Sequence, residues 1–148
     1  MVRTKTTQIG LRQYNYKLQL NQKLNIAISS YRSAPFGGGQ GIFIYELSKA
    51  LQSLGHIVDI ISGPPYPNLE PKINLIRSPG LNLFSTFVFK ERLKIFLNKK
   101  NKSLDDWFEF SSTLLGGFPE IRTFGNRLSY LLQNSSYDIL IDNQSLSF

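Results

Sequence analysis

The chain has 148 residues, enough for one domain with a real core and too few for two of ordinary size. It has no cysteine and one histidine, which excludes disulfides and thiolate metal sites and leaves a typical zinc site short of ligands. The net charge of +7 is uneven: Arg3, Lys5, Arg12, Lys17 and Lys23 fall in the first 23 residues without a single acid.

Residues 1–22 are therefore expected to form a basic, flexible extension without periodic apolar surface, and residues 23–148 the folded unit. The extension lacks the apolar segment of a secretory signal, and no run approaches the ~20 apolar residues of a membrane span. Absence of cysteine suits the cytoplasm, and no nucleic-acid partner is expected.

Leu24 to Ser30 reads as a buried strand. Tyr31 to Phe36 then crosses the carboxyl end of the sheet, with Pro35 blocking either regular element. Gly37, Gly38, Gly39, Gln40 and Gly41 follow, opening a helix predicted from about Gly41 to Leu54 that buries Phe43 or Ile44, Leu47, Ala50, Leu51 and Leu54. Strand, glycine turn and helix together announce a doubly wound parallel sheet, and bare backbone at a helix N-terminus suits a phosphate. The two commoner phosphate signatures fail. A G-x-G-x-x-G register from Gly37 or Gly39 meets Ile42 or Ile44 at its third glycine, and no Lys-Ser or Lys-Thr pair follows for a P-loop.

Gly55 ends the helix, and His56, closing the turn, is read as structural. The second strand runs from Ile57 to Ile61, and Ser62 stands where a dinucleotide site would place a ribose-binding acid. Lys72 to Ile76 is a short third strand. Leu81 to Lys100 reads as one amphipathic helix, with Leu81, Phe84, Phe87, Val88, Ile95 and Phe96 opposite Lys90, Arg92, Lys94, Lys99 and Lys100. Its basic face is solvated or lies on an anionic membrane surface. Ser103 should cap the next helix, with Asp105, Asp106 and Glu109 toward its positive end and Trp107 and Phe108 as anchors. Gly116 to Glu120 is a second glycine loop, Ile121 to Asn134 a helix, and Tyr137 to Asp142 the fourth strand.

In a sheet ordered 3-2-1-4, ligands bind at the carboxyl ends beside strand one, where the connection reverses. That crevice would be flanked by the Gly37 to Gly41 loop and by Asp142, Asn143 and Gln144, a carboxylate and two amides suited to hydroxyl groups.

The combination of GGGQG, Leu54-Gly55-His56, Ser62-Gly63-Pro64-Pro65, Gly116-Gly117-Phe118-Pro119-Glu120 and Tyr137-Asp138-Ile139-Leu140 resembles the N-terminal domain of glycosyltransferase family 4, the retaining GT-B enzymes. The resemblance covers most of residues 24–148. It implies a Rossmann-like α/β fold with strand order 3-2-1-4, incomplete at the C-terminus, and transfer of a sugar from a nucleotide-sugar donor to a glycan, lipid or small-molecule acceptor, without a metal ion or other cofactor. By the same resemblance the Gly37 to Gly41 loop approaches donor phosphate and acceptor, and Asp142 to Gln144 line the sugar site. Catalytic residues are not assigned. Family members often carry histidines at the end of the fourth strand where Ile141 and Asn143 stand here, and Asn143 cannot act as an acid or base at neutral pH. The C-terminal, nucleotide-binding domain is absent from this sequence. The chain is accordingly expected to be the acceptor-side half of such an enzyme, inactive without that second domain, which a separate chain would supply, in the cytoplasm or peripherally at the inner face of the membrane. The alternative is a non-catalytic binding or regulatory module of the same fold.

Overall fold

The computed structural model describes residues 22–35 and 39–143, so the expectation for the basic extension up to Asn21 lies outside the described residues. Four strands form one parallel sheet: β1 (Asn25–Ser30), β2 (Ile57–Ser62), β3 (Asn74–Arg77) and β4 (Ile139–Asp142), in the order β3-β2-β1-β4. Between them run α1 (Gly39–Ser53), a 3-10 turn (Leu83–Ser85), α2 (Phe89–Asn98), α3 (Leu104–Leu114) and α4 (Glu120–Leu132). This is the α/β, Rossmann-like arrangement with the expected strand order. Register follows from burial: Ile26 and Ile28 of β1 sit opposite Val58 and Ile60 of β2, so the apolar residues of the two central strands coincide.

The main core joins Ile26, Ile28, Val58, Ile60 and Ile73 to Ile44 of α1, with Leu47 and Leu51 packed alongside. α1 keeps most of the expected phase: of the two alternatives Phe43 and Ile44 it is Ile44 that faces inward, beside Gly41 and Ser48, whereas Ala50 and Leu54 are exposed. A small residue sets the start of the helix: a Cβ on Gly41 would stand 2.2 Å from the Ala34 carbonyl oxygen, so glycine there lets the helix start lie against the loop leaving β1. Gly55 closes the helix at φ +94°, and the Leu24 N–H donates to His56 Nδ1 at 3.3 Å, a structural use of the histidine. Tyr137 ties the entry of β4 to β2 by donating to Asp59 Oδ2 at 2.7 Å; burial and that bond push its hydroxyl up to about 12.

The single helix expected over Leu81 to Lys100 is instead a 3-10 turn and α2, separated by extended backbone at Thr86 and Val88. Local side-chain bonds defeat the longer helix. Thr86 Oγ1 accepts the Val88 N–H and bonds the Glu91 carboxylate, while Arg92 Nε donates to the Thr86 carbonyl at 2.8 Å. Leu81, Leu83 and Phe96 form a second apolar cluster with Ile95 and Phe110, but Phe87 and Val88 are exposed. Among the described residues no helix is long and apolar enough to cross a membrane.

α3 begins as its sequence predicts. The Ser103 hydroxyl accepts the Asp106 N–H and the Asp106 carboxylate accepts the Ser103 N–H, a complete capping box. The expected anchors are only partly covered. Trp107 meets the Phe96 ring edge-on at 4.8 Å yet remains exposed, as does Phe108, and the residues facing inward are Asp106 and Glu109.

Candidate functional site

β1 and β4 end side by side, with Ser29 opposite Asp142. The Ser29 hydroxyl donates to Asp142 Oδ1 at 3.0 Å, and the Asn143 N–H donates to the Ser29 carbonyl at 2.9 Å. The pairing therefore brings Asp142 and Asn143 to the carboxyl end of β1, at the reversal point of the sheet. Asn143 Nδ2 is buried and meets no acceptor among the described residues. Gln144 lies outside the described residues.

Across from this end lies the start of α1. Gly37 and Gly38 fall outside the described residues, but the other three predicted positions separate by role. Gly41 is needed for packing against Ala34. Gly39, by contrast, has nothing among the described residues within 4 Å of a Cβ placed on it, and Gln40 is exposed, at the positive end of the helix dipole. The segment leaving β1 is braced internally and against the segment after β2: Ser33 Oγ donates to Ser30 Oγ at 2.7 Å, the Ser33 N–H to the Pro65 carbonyl at 3.0 Å, and the Gly63 N–H to the Ser30 carbonyl at 3.1 Å. The Pro64-Pro65 bond is cis.

A buried polar cluster at the carboxyl ends of β2 and β3 escaped the sequence reading. Glu109, fully buried, takes the Arg127 guanidinium at 2.9 Å, the Thr123 hydroxyl at 2.5 Å and the Leu81 N–H at 3.0 Å. Beside it Glu120 accepts the Phe84 N–H at 3.3 Å and faces Arg32 at 3.7 Å. Burial raises the Glu120 carboxyl above its ordinary range, against the opposing pull of the Phe84 N–H and Arg32. Asp106 moves the other way: burial would raise it, but the Lys99 ammonium at 2.6 Å and the Ser103 bonds outweigh that and hold it low. The available signal was a polar stripe at helical spacing, Asp106, Glu109 and Thr113 on one helix with Thr123 and Arg127 on the next. Acids at a helix start read more simply as dipole partners. Among the described residues no group of three or more His, Cys, Asp or Glu is disposed to hold a metal ion.

No family profile matches the chain. It is similar to the MMP alpha-(1->4)-mannosyltransferase of Mycolicibacterium hassiacum. The two are 36% identical over 126 residues, which is 83% of this chain and 30% of that protein. The chain thus spans under a third of the length of the curated relative it matches.

Proposed function

We propose that this chain is the acceptor-side, N-terminal half of a retaining GT-B glycosyltransferase, which moves a sugar, mannose by analogy with its relative, from a nucleotide-sugar donor to a carbohydrate acceptor. The similarity over 126 residues to a mannosyltransferase carries the proposal and supports a glycosyltransferase. The switch-point geometry is consistent with it: among the described residues Gly39 and Gln40 leave room for phosphate at the start of α1, while Asp142 and the Asn143 amide suit sugar hydroxyls. In such a reaction the leaving diphosphate gains negative charge as the sugar becomes cationic at its anomeric carbon, so backbone N–H groups at a helix start stabilise the departing group. No metal ion is called on, as the resemblance implies. The base- and ribose-binding half would lie outside this sequence, as part of a longer protein or as a separate chain. Nothing among the described residues favours the non-catalytic alternative.

Calorimetric titration of the purified chain with guanosine, uridine and adenosine diphosphate sugars tests the division of labour. Only weak binding is expected, because a few phosphate contacts leave most donor affinity unmade. Adding the C-terminal domain of the relative should produce sugar transfer, and Gly39→Val should abolish it without unfolding the chain, since nothing among the described residues stands where its Cβ would lie. Submicromolar donor binding by the chain alone, or no transfer on mixing, would count against the proposal.

A further inference from the structure

A second concavity, remote from the β1 and β4 ends, lies between the carboxyl end of β3 and the helices α3 and α4. Its volume is ≈ 340 Å³, and it is lined by the last residue of β3, the following turn, the first turn of α3 and the second half of α4. Its apolar lining comes from Tyr130, Leu131 and Pro79. Tyr130 is a large aromatic residue left 71% exposed. Its polar lining includes the planar side chains of Arg77, Asp105 and Asn126. Asn126 Nδ2 donates to Asp105 Oδ1 at 3.3 Å, which presets both groups, and the Arg77 guanidinium stands 5.3 Å over the Tyr66 ring.

We propose that this trough binds one sugar ring of an oligosaccharide acceptor, stacked on Tyr130; the inference rests on the glycosyltransferase proposal above. A pyranose presents an apolar C–H face and a belt of vicinal hydroxyls. The first fits an exposed aromatic ring, and the second fits planar side chains that each offer two hydrogen-bonding atoms in one plane. A phosphate is the poorer fit: Arg127 is committed to Glu109 at 2.9 Å and to Ser78 Oγ at 3.3 Å, and Asp105 would repel it, which leaves Arg77 alone to attract it. The polar lining equally disfavours a purely apolar guest.

Position adds a length requirement. β3 and β4 are separated in the sheet by β2 and β1, so the trough and the Asp142 end stand roughly 14 Å apart at about 4.8 Å per strand. A monosaccharide cannot engage both. An acceptor held at its growing end by the crevice and further back by the trough must be a chain of several sugars, and each added contact should tighten binding through local effective concentration.

The test is an amide chemical-shift titration of the purified chain with mannose and with an α-(1→4)-linked mannotetraose. The tetraose should shift the amides of Asn126, Tyr130 and Leu131 and bind about tenfold or more tightly than mannose. Tyr130→Ala should remove that advantage while leaving the spectrum otherwise folded, and Tyr130→Phe, which keeps the ring, should retain it. Shifts confined to the ends of β1 and β4, unaltered by Tyr130→Ala, would overturn the trough assignment and leave the glycosyltransferase proposal standing. Absence of any shift with either sugar would overturn both the trough and the acceptor-side role.

Discussion

Under α1 the sheet is closed by Ile26, Ile28, Ile44, Val58, Ile60 and Ile73, whereas under α3 and α4 the most deeply buried side chains are Glu109, Thr123 and Asp106. Both regions are equally dry, but they are held by different physics. Apolar contacts are non-directional and lose strength in proportion to the area removed. A buried carboxylate is tolerated only while its partners stay in place, and Glu109, carried by α3, draws those partners from the turn at Leu81 and from α4. The polar region therefore fixes the mutual placement of three segments through one side chain. The apolar region spreads the same task over many.

That contrast can be broken most directly at Glu109. Glu109→Ala leaves the Leu81 N–H without its buried acceptor and removes the carboxylate partner of the partly exposed Arg127, and should cost about 3 kcal/mol. The loss is readable by denaturant titration of the single tryptophan, Trp107, which sits on the affected helix. A smaller effect is expected in the other region: Ile60→Val, at a fully buried strand position, should cost roughly 0.5–1.5 kcal/mol and leave the native Trp107 emission unchanged. Equal costs for the two substitutions would erase the distinction.

The smallest expected effect is a pH dependence confined to the polar region. The depressed Asp106 contributes stability that is whole above its ordinary 3.8 and is lost as pH falls through its lower folded value. The raised Glu120 works in the opposite sense. Its contribution is whole below its ordinary 4.5 and is lost as pH rises through its higher folded value. Thermal midpoints measured from about pH 3 to pH 7 should thus lose their acid limb in Asp106→Asn and their decline above the carboxylate range in Glu120→Gln. Unchanged profiles in both variants would show that neither carboxylate is coupled to folding.

The elements legible in the sequence were those with one strong local cause. β1 and β2 are β-branched runs stopped by Ser and Gly, Gly55 supplies the left-handed turn after α1, and the Ser103 and Asp106 pair caps α3. The site was legible where strand order alone places residues, so Asp142 and Asn143 could be assigned to the end of β1 before any coordinates. Gly41 was less readable, because a glycine kept for contact with Ala34 and a glycine kept for a ligand look alike in one sequence.

The sequence by itself determined the α/β class, because apolar periodicity and glycine punctuation act over neighbouring residues and restrict the topology to few choices, while the 3-2-1-4 order and the crevice beside β1 were expected from the resemblance to a known family. Only the tertiary structure decided the inward place of Gly41 on α1, the break at Thr86 and the inward turn of Glu109. Each of these depends on a partner that sequence spacing does not reveal. Ala34 meets Gly41 across a loop, Thr86 competes with its own helix for hydrogen bonds, and Glu109 becomes stable inside only when Thr123 and Arg127 arrive from α4.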